Sequence, residues 1–166
     1  EAGRMKILEE PALKPYIFAI PIDTVINIIE QGSWDEMPDG SRICRLGLSS
    51  EGAFSLNITF TMFNIPDGVN VFIYTPDLET IRGAYTKINN KISGKLATTP
   101  LPGDKIIVEI DIPSGFNGFL PELTIGRISH DNKNPFGFKT GYGKSGDCNV
   151  DINCAEGDDW QIEKRA

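Results

Sequence analysis

Period-two alternation runs through the middle of this chain. In Phe54-Ser-Leu56-Asn-Ile58-Thr-Phe60-Thr-Met62 every second residue is apolar and the intervening ones are Ser, Asn and Thr. In a strand this puts five large side chains on one face and small polar ones on the other, whereas a helix would scatter them. Lys105 to Ile112 has the same form, with Ile106, Val108, Ile110 and Ile112 on one face and Lys105, Glu109 and Asp111 on the other. Ser41 to Ser49 alternates Cys44, Leu46 and Leu48 inward, leaving Arg42 and Arg45 to solvent. Val71 to Thr75 and Pro121 to Ser129 read as further strands, the latter with Leu123 and Ile125 in the core. Tyr16 to Ile20 and Thr24 to Ile29 are weaker strands rich in β-formers. A short helix over Lys6 to Leu13 is the one helical candidate.

Turns separate these runs. Pro38-Asp-Gly40, Pro66-Asp-Gly68, Pro102-Gly-Asp104 and Pro113-Ser-Gly115 each combine a residue with preset φ and one that accepts positive φ. One-sided strands joined by such turns predict an all-β fold, a jelly-roll-like antiparallel β-sandwich with an extended C-terminal tail. The pattern changes after His130. Residues 131–144 read as a linker rich in Asn, Gly and Lys, and residues 145–166 carry too little apolar surface to fold alone. The predicted division is therefore 1–130 for the sandwich, 131–144 for the linker and 145–166 for the start of a further unit.

Composition narrows the functional classes. The chain has 166 residues, 40% hydrophobic and 23% charged, which is a globular balance. Its net charge of −7 opposes polyphosphate and anionic lipid, so neither nucleic acid nor a membrane surface is an expected partner. No apolar run approaches the roughly 20 residues that a membrane-spanning helix needs. Three cysteines, Cys44, Cys148 and Cys154, leave an odd count. That count is compatible with a free thiol, a partner outside the chain, or three buried unreactive thiols.

Chemistry is sparse. The single histidine, His130, sits beside Asp131 without a Gly-x-Ser-x-Gly context, and reads as a structural residue bonded to backbone or to that carboxylate. Zinc would need more paired Cys and His ligands than the chain supplies. Asp147, Asp151, Glu156, Asp158 and Asp159 could offer oxygen ligands to calcium, but they do not fit the EF-hand pattern and read as solvated charge. No metal, cofactor or catalytic residue is assigned. Trp34, Phe72, Tyr74, Tyr85, Phe116 and Phe119 could form a carbohydrate platform, though strand aromatics more often pack.

The specific signal is at the end: Lys144-Ser-Gly-Asp-Cys148-Asn-Val-Asp-Ile-Asn-Cys154-Ala-Glu-Gly-Asp-Asp-Trp160-Gln-Ile-Glu-Lys-Arg165-Ala166. It resembles the opening of the mature protease in the lysyl endopeptidase family, secreted bacterial trypsin-like serine proteases that cleave after lysine. Upstream, Arg42-Ile-Cys-Arg-Leu-Gly-Leu-Ser-Ser, Ala53-Phe-Ser-Leu-Asn-Ile, Phe72-Ile-Tyr-Thr-Pro, Leu101-Pro-Gly-Asp and Val108-Glu-Ile are similar in order to the family's amino-terminal region. The resemblance implies a secreted prodomain or accessory domain followed by the first residues of a protease domain. The family's catalytic Ser, His and Asp would then lie beyond Ala166, and no hydrolysis is expected of this chain. It further implies processing at Lys144–Ser145, with Lys139 as the competing site. Cys148 and Cys154 become disulfide candidates, either with cysteines of the protease domain or with each other. The expected partner is the chain's own protease domain, which the sandwich would help to fold or hold latent. An extracellular adhesive or carbohydrate-binding sandwich is the alternative.

Overall fold

A computed structural model describes residues 17–137. Along the chain run β1 (Ala19–Asn27), a single helical turn α1 (Ile28–Gln31), β2 (Ser33–Glu36), β3 (Arg42–Ser49), β4 (Ser55–Asn64), β5 (Asn70–Tyr74) and β6 (Ile81–Tyr85). A 3-10 turn (Lys87–Asn89) leads to β7 (Leu96–Ala97), β8 (Leu101–Pro102), β9 (Lys105–Ile112) and β10 (Glu122–Asp131). The strands form two antiparallel sheets. One has the order β1-β10-β4-β7, with β8 also on β4; the other has the order β2-β3-β9-β5-β6.

Packed together, the sheets make the sandwich that alternation predicts. From one side come Leu56, Ile58, Phe60, Phe63, Leu123 and Ile125; from the other come Cys44, Val71, Ile73, Ile106, Val108, Ile110 and Ile112, all buried in one core. Full burial of such a side chain contributes about 1.5–3 kcal/mol, so β9, with four of them on one face, is the main spine of its sheet. The predicted turn glycines all take positive φ: Gly40 at 81°, Gly68 at 84°, Gly103 at 91° and Gly115 at 70°.

Bulges correct one expectation, and three segment boundaries differ as well. The five-residue apolar face does not run to Met62, which is exposed, while Phe63 is buried. Ile125 pairs with Phe60 and Thr124 with Met62, which leaves Thr61 without a cross-strand partner. Arg127 pairs with Thr59, so Gly126 is the extra residue on β10. An extra residue shifts the side-chain phase by one and turns Phe63 and Ile65 inward. The weak strands at 16–20 and 24–29 are one strand, β1, followed by α1. Asn27 caps that turn, its Oδ1 accepting from the Ile29 amide at 3.1 Å. Asp131 is also no exposed linker residue: it ends β10 and is 1% exposed. The helix expected over Lys6 to Leu13 lies outside the described residues.

Candidate interaction surface

Lys144, Ser145, Lys139, Cys148, Cys154 and the acids of residues 147–159 all lie outside the described residues. The remaining candidates are within the sandwich.

His130 meets a partner that its neighbours in sequence do not suggest. Its Nδ1 is 2.8 Å from the Ser50 hydroxyl, at the end of β3. Asp131 points to the other face of β10. Its carboxylate accepts from Ser55 Oγ at 2.9 Å and from the Lys133 and Asn134 amides at 3.0 and 2.9 Å. That carboxylate closes the strand end and does not orient the imidazole. Among the described residues no three His, Cys, Asp or Glu side chains gather as metal ligands.

Cys44 packs as the sequence predicts. It is fully buried, its thiol 3.5 Å from the Ile28 carbonyl, and burial pushes its pKa up to about 11. Gly32 makes this contact close, since a Cβ there would come within 2.4 Å of the Cys44 sulfur.

Of the candidate platform aromatics, Phe116 and Phe119 line one groove, whereas Tyr85 packs against the core. Phe63 packs edge-on against Phe60 and Tyr85, with ring centroids 5.1 and 6.3 Å apart, and Phe116 leans on the core. Tyr74 is buried on the outer side of its sheet, where its hydroxyl donates to Glu109 at 2.8 Å. Arg45 also donates to Glu109 and, at 3.1 Å, to Asp35, tying β2, β3, β9 and β5 together. Beside this network one carboxylate oxygen of Asp111 is buried without a hydrogen bond. Desolvation first, then the Glu109 charge, raise its pKa, with Arg45 opposing. Arg42 is not simply solvated: it shares the face of Cys44 and lies over the Trp34 ring, 5.7 Å from its centroid.

Two adjoining grooves lie at one end of the sandwich, around the loop that leads into β10. A groove of about 480 Å³ is lined by Ile29, Trp34, Asp35, Glu36, Arg42 and Leu120. A second, of about 340 Å³, shares Ile29 and Leu120 with it and adds Glu30, Met62 and Glu122. Trp34, Leu120 and Met62 are 37%, 42% and 45% exposed there. Its floor is set by α1 and β2, because the Trp34 indole nitrogen donates to the Ile29 carbonyl at 3.1 Å. The termini of the sandwich lie at the opposite end, where Ala19 pairs with Asp131.

The lysyl endopeptidase N-terminal domain family matches residues 24–131. The chain belongs to that family. The matched stretch begins inside β1 and ends on the last residue of β10, so the sandwich is what the family shares. The lysyl endopeptidase of Pseudomonas aeruginosa is 25% identical over 128 residues, which cover 74% of this chain and 27% of that protein. This lysyl endopeptidase N-terminal domain chain thus spans about a quarter of the length of that relative. No solved structure matches. No helix among the described residues is long and apolar enough to cross a membrane.

Proposed function

We propose that this chain is the non-catalytic prodomain of a secreted lysine-specific serine endopeptidase and acts by binding its own protease domain, assisting its folding or keeping it latent. The supporting observation is the coincidence of the family match with the sandwich, in a relative almost four times as long as the aligned segment. A rigid two-sheet unit offers faces and edges for a partner domain. Processing falls at Lys144–Ser145, where a lysine precedes the segment that resembles a mature protease terminus. Cys148 and Cys154 form disulfides with the protease domain in the full protein.

The test adds purified chain in trans to the unfolded cognate protease domain and to the folded one. The expected result is more recovered lysyl-peptide hydrolysis in the first case or slowed hydrolysis in the second; the absence of both effects would sink the proposal. For processing, limited digestion with a lysine-specific protease should yield a new terminus at Ser145. Persistence of the Lys144–Ser145 bond after cleavage elsewhere would reject it.

A further inference from the structure

The paired grooves at the loop end have the chemistry of a peptide-binding edge. Ile29 and Leu120 line both grooves, with Trp34 on one side and Met62 on the other, so the apolar floor is continuous. Around it stand the carboxylates of Glu30, Asp35, Glu36 and Glu122, all on exposed residues. Against them are Arg42, which covers the Trp34 ring, and Arg45, which pairs with Asp35. Four negative groups against two positive ones leave an acidic rim over an apolar floor. Asn64 donates to Glu122 but brings no charge, so that carboxylate is not neutralised.

The backbone adds direction. β2 is the outermost strand of its sheet, and among the described residues nothing pairs with its outer edge. Its side chains alternate, Trp34 toward the face of Cys44 and Asp35 toward the face of Ile43. A strand laid beside β2 would therefore meet the Trp34 ring, with Glu36 beyond it, on one face and the Asp35 carboxylate on the other. A second copy of this chain is a poor occupant, since like charges at Asp35 and Glu36 would be brought edge to edge. Anionic lipid and nucleic acid are opposed by the same rim.

We propose that the β2 edge and its grooves bind an extended protein segment that alternates apolar with lysine or arginine residues, its apolar side chains entering between Trp34, Ile29 and Leu120. This rests on the reading of the chain as a partner-binding domain and names the surface and the chemistry of the partner. Trp34 is held in place before binding by its bond to Ile29, so little ordering is needed there.

The test uses the full chain carrying Trp160→Phe, which leaves Trp34 as its one tryptophan. An acetylated, amidated octapeptide of alternating lysine and valine is titrated while Trp34 emission is read. A saturable shift is expected, weakened several-fold by raising salt from about 0.05 to 0.5 M as charge is screened. Leu120→Glu should weaken binding about tenfold or more, as loss of an apolar anchor does. Because Leu120 is 42% exposed, that variant is expected to keep its fold, which circular dichroism checks. Glu36→Lys, a reversal of rim charge, is the second variant and should also weaken binding. No saturable response, an equal response to a control octapeptide of alternating glutamate and valine, or undiminished binding by Leu120→Glu would overturn the proposal. The two readings fail separately. If wild type and Leu120→Glu act alike on the protease domain, the groove is not the partner site although the prodomain role stands. If the peptide binds but the chain has no effect on the protease domain, the groove stands and the prodomain role fails.

Discussion

Individual side chains in this sandwich are decided by close approach more than by composition. Gly126 is the clearest case, because a Cβ there would meet Thr61 Cγ2 at 2.2 Å and Oγ1 at 2.9 Å. The two unpaired bulge residues of β4 and β10 face each other, and only a missing side chain lets them do so. Gly126→Ala should therefore cost about 1–3 kcal/mol as an overpacked site. Adding Thr61→Ala removes both colliding atoms and should restore part of the loss, giving a coupling measurable in urea midpoints. Additive effects would disprove the contact. Cys44 gives a chemical prediction. Its pKa of about 11 leaves roughly 0.1% thiolate at pH 8, so iodoacetamide should spare the Cys44 peptide in the native protein and label it after unfolding. Rapid native labelling would contradict its burial. The bond between Ser50 and His130 was not legible in sequence, since they are 80 residues apart and neither occupies a recognisable motif.

At the scale of elements, alternation was informative wherever a strand is covered on one face without interruption. β9 matches its predicted limits, Lys105 and Ile112, and buries every expected residue. The four short strands β2, β6, β7 and β8 carry no period that sequence could reveal. β2 has four exposed residues, and β7 and β8 are two residues each. Their pairing is imposed by neighbours, which is also why β2, the floor of the candidate groove, was missed although Trp34 was noticed. Turn chemistry compensated in part, because Pro–Gly spacing located the reversals at Gly40, Gly68, Gly103 and Gly115. The outer side of β9 makes a testable case of its own. Asp111 has a raised pKa in the folded state, so its favourable contribution is present below the ordinary carboxyl range and lost as pH rises through the folded value. At neutral pH the ionised group thus opposes folding. Asp111→Asn should raise the urea midpoint at pH 7, and the gain should vanish as pH falls below about 3.9. A loss of stability at pH 7 would mean that the carboxylate has a partner after all.

For the molecule as a whole, the question is whether the sandwich is a unit in its own right. We propose that residues 17–137 fold without the rest of the chain. Within that stretch the two sheets already enclose one continuous core, from Ile28 to Ile125. Its two ends close on each other: Ala19 pairs with Asp131, the Asn132 amide donates to the Phe18 carbonyl at 3.1 Å, and Phe18 meets Phe136 edge-on at 5.6 Å. Asp131 then seals the end by taking up Ser55 and two loop amides. Such a unit has its own core and neighbouring termini, the anatomy expected of an independent domain. Expressed alone, 17–137 should unfold in one cooperative transition, within a few degrees of the full chain by calorimetry. Hydrogen exchange should be slowest in β9, flanked on both sides by β3 and β5, and fastest at the edges β2 and β6. Non-cooperative melting, or uniformly fast exchange, would mean that residues outside the sandwich complete its core. Cooperative folding would mean that the domain reaches its structure before any protease domain is engaged, so that it presents a finished surface and not a chain awaiting its partner in order to fold.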